Sequence, residues 1–333
     1  MRNFTQTEPC RWGIIGPGKI AAKFAAAIPL AGDAVLYAVA SRDARRARDF
    51  AEMHGAAKWY NSYEELAADP AVDCIYIAAP HAFHAEYALM CLGHKKPVLC
   101  EKPMALNRPQ VQAMVAAARL NNTFLMEAMW SRFLPVIGKT LELVRDGSIG
   151  TLKYVRADFG FPAVFDPKSR LFDLRLGGGS LLDIGVYPLF LCLLLLGPPD
   201  NIIAAGTLAP TGADDSCQAI LQYNNGATAL ATCNLTCRTV AMAEIGGSEG
   251  SITIPEAWYK TNTLTMLRPN EDPRIYTFAP VINGFEYQIR EVMACLQQGL
   301  IESPLMSHDF SLLLSGVMDG IRRELGVRYT GED

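Results

Sequence analysis

The first third of the chain alternates short apolar runs with amphipathic helical patterns, and this alternation restricts the possible folds more than any other feature of the sequence. Strands that alternate with helices pack as a parallel sheet with helices across its faces. The sequence therefore predicts a doubly wound α/β sheet. Its predicted strands are residues 11–15, 34–40, 74–78, 98–100 and 123–126, and its predicted helices are residues 19–28, 43–54, 84–92 and 108–121.

After about residue 128 the pattern changes to consecutive strands joined by short turns, which is typical of a mostly antiparallel sheet. We therefore predict two domains, residues 1–128 and residues 129–333, and the second is an α+β domain with a large open-faced sheet. Its predicted strands are residues 152–161, 202–208, 217–223, 228–236, 240–245, 251–254, 263–267 and 274–278, and its predicted helices are residues 136–145, 180–196, 285–298 and 310–325.

A glycine-rich turn separates the first predicted strand from the first predicted helix. Its sequence, Gly16-Pro17-Gly18-Lys19-Ile20-Ala21, has the G-x-G-x-x-A spacing of dinucleotide-binding turns. The first glycine permits the tight turn, and the second lets the backbone approach a pyrophosphate at the helix N-terminus. We therefore predict a Rossmann NAD(P)-binding domain with Gly16, Gly18, Lys19 and Ile20 at the cofactor, although a purely structural turn has the same glycines.

The residues after the second predicted strand favour NADP over NAD. An acidic residue at this place binds the ribose 2′-hydroxyl of NAD, whereas this strand is followed by Ser41 and Arg42, with Arg46 one turn later. A guanidinium pairs with a phosphate and can stack on adenine. Asp43 keeps NAD possible, because a small shift of register would bring its carboxylate to the ribose.

The charge balance argues against two classes of partner. The chain has 30 Lys and Arg against 34 Asp and Glu, a net charge of −4. Nucleic-acid surfaces and polybasic membrane anchors both need a basic face. The uncharged apolar stretch at residues 184–199 is shorter than the roughly 20 residues that span a bilayer.

Cysteine content and the first residues concern the cellular location. The nine cysteines are odd in number and scattered, which is typical of free thiols in a reducing compartment. The first ten residues lack the apolar segment of a secretory signal. We expect a cytoplasmic protein, and no His or Cys group has the spacing of a metal site.

Several further motifs resemble the glucose–fructose oxidoreductase/inositol dehydrogenase (Gfo/Idh/MocA) family, in family order and over nearly the whole chain. They are Ala79-Pro80 with His84, Val98–Glu101 continued by Lys102-Pro103, Met126-Glu127-Ala128 followed by Arg132-Phe133, and Gly177-Gly-Gly-Ser-Leu-Leu-Asp183-Ile-Gly185-Val-Tyr187. The Leu-Cys-Glu-Lys-Pro-Met spelling and Tyr187 are similar to the branch of dimeric dihydrodiol dehydrogenases, also described as NADP-dependent D-xylose dehydrogenases.

The resemblance implies an NAD(P)-dependent oxidoreductase acting on CH–OH groups, with Ala79, Pro80 and His84 beside the cofactor. Glu101 would position either the nicotinamide ribose or Lys102. A histidine held in the first turn of a helix remains an equal alternative for His84.

Removal of hydride from a carbinol carbon requires removal of the hydroxyl proton as well. Tyr187 is the candidate general acid/base, and Lys102 is the cation that would favour its phenolate, because a free tyrosine has a pKa of about 10. Asp183 lies four residues before Tyr187 and therefore on one helical face with it. It would orient Lys102 or bind a substrate hydroxyl.

Candidate substrate residues are Trp130, Arg132 and Phe133 after the last strand of the first domain, together with Arg170 in a long loop and Asp183. The first three line a sugar or arene pocket or form a domain interface. The substrate is predicted to be a polyol, either an aldose at its anomeric carbon or a trans-dihydrodiol. An aldose–aldose oxidoreductase or anhydro-sugar reductase with a tightly held cofactor is one alternative. A non-catalytic nucleotide-sensing regulator is the other, and we disfavour it because Lys102, Asp183 and Tyr187 are present.

The predicted open sheet also suggests a homodimer. Ala219 and Leu221 alternate with Gln218 and Ile220, and the next strand, residues 227–235, is apolar on both faces apart from threonines and Asn234. An uncovered apolar face is usually an interface, and a twofold axis covers it with the same face of a second chain. The family resemblance also implies dimers or tetramers built through this sheet.

Overall fold

A computed structural model describes residues 9–329, and within this range the chain forms two compact units. The first unit comprises residues 9–130 and Asn283–Leu312. The second unit comprises Ser131–Ile282 and residues 313–329.

Residues 9–130 contain a parallel sheet of six strands in the order β3-β2-β1-β4-β5-β6. Every neighbouring pair in it is parallel, which confirms the predicted doubly wound architecture. The elements in chain order are β1 (Cys10–Ile15), α1 (Lys19–Ala27), β2 (Ala34–Ala40), α2 (Ala44–His54), β3 (Lys58–Tyr60), α3 (Tyr63–Ala68), β4 (Cys74–Ile77), α4 (His84–Gly93), β5 (Val98–Glu101), α5 (Arg108–Leu120) and β6 (Leu125–Ala128).

Helix starts in this unit follow local side-chain chemistry. The Asp43 carboxylate accepts the backbone N–H groups of Arg45 and Arg46 and so caps α2. Asn107 caps α5 by accepting the N–H of Gln110 at 3.0 Å. Such caps satisfy N–H groups that the helix itself leaves without acceptors.

The second part of the chain builds a mostly antiparallel sheet of eight strands in the order β14-β13-β12-β11-β7-β10-β9-β8. Only the central pair of β7 and β10 is parallel among these described strands. The elements are α6 (Pro135–Arg145), β7 (Leu152–Gly160), α7 (Val186–Leu196), β8 (Asn201–Leu208), β9 (Asp214–Gln222), β10 (Thr228–Asn234), β11 (Ala243–Gly247), β12 (Ser251–Ile254), β13 (Thr263–Leu267), β14 (Arg274–Thr277), α8 (Phe285–Gln297) and α9 (His308–Leu325).

The segment Asn283–Leu312 packs with the first unit. Phe285 of α8 stacks on Trp130 with ring centroids 5.3 Å apart. The His308 ring lies 2.9 Å from the Leu125 carbonyl oxygen on β6. The single boundary predicted after residue 128 does not include this returning segment.

The strands predicted at residues 240–245 and 228–236 have different bounds in the structure, and side-chain contacts explain both differences. The strand predicted at residues 240–245 begins only at Ala243, because the Asp158 carboxylate binds the N–H groups of Ala241 and Met242 in place of a neighbouring strand. β10 ends at Asn234, whose side chain accepts the N–H of Cys237 and turns the chain. Cys237 therefore lies outside the strand and is exposed, whereas Cys233 within β10 is buried.

The longest apolar segment of the chain belongs to the core of the second unit. Leu174–Leu196 spans 23 residues with a mean hydropathy of 2.0, so its length and composition alone would allow it to cross a membrane. It is longer than the 16-residue stretch that the sequence suggested. However, 83% of its most apolar window is buried inside the protein, and α7 packs against β7 and β10.

One face of the second sheet is open in the single chain. Ala219 and Leu221 are buried on one side, whereas Ile220 on the other side is 42% exposed. Ile220 lies between Ile203 of β8 and Leu230 of β10 in the cross-strand register. This arrangement confirms the predicted open-faced sheet.

Candidate active site

The glycine-rich turn of the first unit contains a glycine at positive φ, Gly16, and a glycine that faces open space, Gly18. Gly16 has a φ of +87°, and a Cβ on it would lie 3.1 Å from backbone atoms of Ala78 and Ala79. A Cβ on Gly18 would meet no atom within 4 Å, and this residue precedes α1 without a side-chain cap. The first N–H groups of α1 therefore face a space that suits a pyrophosphate.

The residues after β2 show how Asp43 is used in the structure. Its Oδ1 accepts the N–H of Arg45 at 2.9 Å, which makes Asp43 the N-cap of α2. The Ser41 hydroxyl in turn accepts the N–H of Asp43 at 3.2 Å. The Asp43 carboxylate, which was the reason to consider NAD as the cofactor, thus caps α2.

The four arginines near this point fall into two groups. Arg45 and Arg48 form ion pairs with Asp49 along α2. In contrast, Arg46 donates to the Pro17 carbonyl oxygen at 3.1 Å, and the Arg42 guanidinium lies 5.5 Å from the centre of the Phe83 ring. Within residues 9–329, no acidic side chain comes within ion-pair distance of Arg42 or Arg46.

His84 joins the loops that follow β4 and β5. Its Nε2 lies 2.8 Å from the Ala79 carbonyl oxygen, and its Nδ1 lies 2.8 Å from that of Pro103. The ring is fully buried, and burial lowers the pKa of His84 although both carbonyls favour the protonated ring. The ring thus links two loops that the sequence assigned to the cofactor, which include Pro80 and Lys102.

Glu101 ends β5 with both carboxylate oxygens engaged. Oε1 accepts the hydroxyl of Tyr76, and Oε2 accepts the backbone N–H of Lys102 at 3.1 Å. Glu101 is almost completely buried. Of its two predicted roles, this geometry favours the positioning of Lys102.

Glu127 on β6 is a buried acid that sequence reasoning did not assign to the site. Its Oε1 accepts the Met104 N–H at 3.0 Å, and its Oε2 accepts the Ser311 hydroxyl at 2.7 Å. Burial raises the pKa of Glu127 to about 7. Glu127 belongs to the Met126-Glu127-Ala128 motif of the family resemblance, which could have indicated its importance. Only the fold shows that its carboxylate binds the backbone N–H of Met104.

In the second unit, Asp183 lies in a π-helical turn, Leu181–Gly185, that precedes α7. Arg170 from the long loop donates to Asp183 Oδ1 at 2.7 Å and to Oδ2 at 3.4 Å. Asp183 is buried, whereas the Arg170 side chain is more than half exposed. The structure therefore brings together two residues that were predicted separately.

Tyr187 lies in the first turn of α7 against an aromatic cluster. The rings of Phe159 and Tyr259 stack 4.1 Å apart, and the centre of each lies 5.7 Å from that of Tyr187. The Ser131 hydroxyl donates to the Tyr259 carbonyl oxygen at 2.8 Å and fixes that end of the cluster. Phe159 and Tyr259 were not singled out from the sequence, because nothing in their spacing connects them to Tyr187.

A second buried carboxylate holds the start of the segment that bears Asp183 and Tyr187. Asp214 Oδ2 accepts the Ser180 hydroxyl and the Leu181 N–H, both at 2.6 Å. Burial raises the pKa of Asp214.

The predicted substrate residues near the end of β6 are largely inaccessible in the single chain. Trp130 is buried against Phe285, Arg132 is buried and Phe133 is half-buried. Their contact with substrate stays a prediction. Among residues 9–329, no group of three or more His, Cys, Asp or Glu side chains is arranged to hold a metal ion.

Comparisons with known proteins agree with these features. Residues 10–129 match an oxidoreductase family model with an NAD-binding Rossmann fold, and residues 138–253 match the GFO/IDH/MocA C-terminal domain. The chain is 39% identical over 328 residues to trans-1,2-dihydrobenzene-1,2-diol dehydrogenase of Xenopus tropicalis, which covers 96% of this chain and 99% of that protein. The protein of the same name from Homo sapiens is 34% identical over 332 residues, 96% of this chain and 98% of its own.

Solved structures are similar over nearly the whole chain. The aldose-aldose oxidoreductase from Caulobacter crescentus, complexed with glycerol, has a TM-score of 0.86 and 25% identity over 96% of this chain and 98% of its own. KijD10, a 3-ketoreductase from Actinomadura kijaniata in complex with NADP and TDP-benzene, has a TM-score of 0.82 and 27% identity over 95% of this chain and 98% of its own.

Proposed function

The chain belongs to the Gfo/Idh/MocA family of oxidoreductases, and from that premise we propose that it is an NADP-dependent dehydrogenase of ring diols, with a trans-dihydrodiol as its substrate. The observation that carries the proposal is the setting of Tyr187, a buried phenol against the stacked rings of Phe159 and Tyr259. An aromatic wall beside a proton-accepting group suits a flat, unsaturated ring that bears hydroxyls. The names of the relatives, dehydrogenases of trans-1,2-dihydrobenzene-1,2-diol, support this substrate class.

The residues of the first unit fit NADP. The open space at Gly18 and the uncapped start of α1 suit the pyrophosphate, and Arg42 and Arg46 are the cations for the 2′-phosphate. A phosphate beside two guanidiniums gains charge-assisted hydrogen bonds. The structure of KijD10 in complex with NADP supports the same cofactor.

A bound nicotinamide would supply the acceptor for the hydride that leaves the carbinol carbon. We assign the accompanying proton to Tyr187, whose phenolate acts as the general base in oxidation and whose phenol acts as the general acid in reduction. Lys102 supplies a positive charge that favours the phenolate. Each unit by which the tyrosine pKa falls corresponds to about 1.36 kcal/mol of stabilisation of the phenolate.

Asp183 is assigned to a hydroxyl of the substrate. Arg170 donates to its carboxylate from both terminal guanidinium nitrogens, so the acceptor is held in a fixed orientation. The second hydroxyl of a vicinal diol suits such an acceptor. A cytoplasmic location and a homodimer through the open face of the second sheet complete the proposal.

One experiment tests the function. The purified protein is titrated with NADPH and NADH by fluorescence, and then assayed with NADP by absorbance of the reduced nicotinamide on trans-1,2-dihydrobenzene-1,2-diol and on D-xylose. We expect tighter binding of NADPH and a higher kcat/KM for the dihydrodiol. Equal binding of NADH would overturn the cofactor assignment, and turnover restricted to the aldose would overturn the substrate.

The aldose-aldose oxidoreductase remains a second candidate because its structure superposes with a TM-score of 0.86. That reaction uses one sugar to reoxidise the cofactor that another sugar has reduced. Protein purified with cofactor already bound, and turnover of aldose mixtures without added NADP, would favour it.

A further inference from the structure

We infer that Glu127 is a positioning residue of the active site, whose carboxylate holds the Lys102 loop through the backbone of Met104. The inference rests on the proposed function of Lys102. Glu127 touches no substrate and no reacting atom in this scheme, and it acts only through the loop.

Three consecutive residues after β5 are each held by a different buried side chain. Glu101 accepts the N–H of Lys102, and His84 contacts the carbonyl oxygen of Pro103. Glu127 accepts the N–H of Met104. A short loop held at three successive backbone groups has little freedom, so the stem of the Lys102 side chain starts from a defined position.

Burial of the Glu127 carboxylate is unfavourable, which indicates that this side chain does more than fill space in the core. A carboxylate taken out of water loses its hydration, and only good hydrogen bonds offset that loss. Glu127 is 2% exposed and recovers two such bonds, one from the loop and one from Ser311 on α9. Since an apolar residue would fill the same space at lower cost, the contact with the loop is the feature that distinguishes Glu127.

Charged and titratable groups face Glu127 from the elements packed against it. The charge of Glu101 on β5 raises the pKa of Glu127, and the charge of Lys102 lowers it. Glu127 in turn raises the pKa of the Cys100 thiol on β5. On α9 the Ser311 hydroxyl donates to Glu127, and His308 lies one turn earlier on the same helix, with a pKa that burial lowers. Loss of the proton from Glu127 strengthens both hydrogen bonds and the attraction to Lys102, so turnover should rise as the pH increases through about 7.

Two variants separate positioning from folding. Glu127→Ala removes the acceptor of the Met104 N–H, and Glu127→Gln keeps an acceptor oxygen while it removes the charge. Glu291→Ala is the matched control, because the Glu291 carboxylate also accepts a serine hydroxyl, that of Ser303, within the first unit but touches none of the loops after β4 and β5. Urea unfolding, NADPH binding and kcat over a range of pH are measured for each.

We expect Glu127→Ala to lower kcat about 10- to 100-fold, the effect of a misplaced catalytic group, while NADPH affinity changes less than about threefold. Glu127→Gln should recover most of that loss and should lack the rise in kcat near pH 7. Glu291→Ala should lose stability without loss of kcat.

The inference would be overturned if the folded Glu127→Ala variant had the kcat of the parent, or if the pH profile of kcat in Glu127→Gln were identical to that of the parent. The Glu127→Gln profile is decisive even if the alanine variant does not fold. Lys102→Met distinguishes the two proposals. Full turnover in Lys102→Met refutes the proposed function, whereas inactive Lys102→Met beside fully active Glu127→Ala refutes only the role of Glu127.

Discussion

Substitution of the two turn glycines by alanine should separate folding from cofactor binding. In Gly16→Ala the residue must keep a φ of +87°, and its Cβ meets backbone atoms of Ala78 and Ala79 at 3.1 Å. A left-handed backbone costs a non-glycine residue about 1–2 kcal/mol, and overpacking against rigid atoms costs roughly 1–3 kcal/mol more. The free energy of unfolding should therefore fall by about 2–5 kcal/mol.

Gly18→Ala is the matched control, because its backbone is extended and its Cβ meets no atom within 4 Å. It should leave the stability of the apo-protein unchanged or raise it by up to about 1 kcal/mol, since alanine restricts the unfolded chain. The same Cβ occupies the space that we assign to the pyrophosphate, so NADPH binding should be lost.

Urea unfolding of the apo-proteins and fluorescence titration with NADPH measure the two effects. A Gly16→Ala protein as stable as the parent would contradict the steric role of Gly16, and a Gly18→Ala protein with parental NADPH affinity would contradict the pyrophosphate site at Gly18.

Three further outcomes follow from the structure. In fluorescence titrations, Arg42→Ala should weaken NADPH binding about 5- to 30-fold, which corresponds to roughly 1–2 kcal/mol for an exposed charge-assisted contact, and it should leave NADH binding unchanged. Arg48→Ala is the control and should bind both cofactors as the parent does, because Arg48 is ion-paired along α2. Equal losses for both cofactors in Arg42→Ala would contradict the role of Arg42. Asp43→Ala should lower the free energy of unfolding by about 1 kcal/mol in urea, because α2 loses its N-cap, and an unchanged midpoint would contradict that role. Sedimentation of the parent protein should give about twice the 36.3 kDa chain mass, and Ile220→Glu on the open sheet face should give monomers. A monomeric parent protein, or a dimeric Ile220→Glu variant, would contradict the proposed interface.

Local patterns predicted most of the fold because they report on local burial. The alternation of apolar runs and helices predicted β1, β2, β4, β5 and β6 and the helices α1, α2, α4 and α5 that connect them. β3 was not predicted, because it has only three residues and these are largely exposed. The return of α8 to the first unit depends on contacts such as Phe285 with Trp130, which no local pattern reports.

The candidate site was predicted by residue type but not by contact. Asp183 and Arg170 were singled out separately, and only the fold shows that they form an ion pair. Glu127 and Asp214 bind backbone N–H groups far away in the sequence, so a single sequence contains no spacing that reveals them. Such contacts depend on how strands and loops pack, which is decided by the whole chain.

The most direct test of the central claim is the turnover of Tyr187→Phe. The substitution removes one oxygen and leaves the ring against Phe159 and Tyr259, so folding and NADPH binding should be kept. With trans-1,2-dihydrobenzene-1,2-diol and saturating NADP, kcat should fall about 10²- to 10⁴-fold, the contribution typical of a general acid/base. A Tyr187→Phe enzyme that binds NADPH normally and turns over at the parental rate would show that the phenol does not carry the proton.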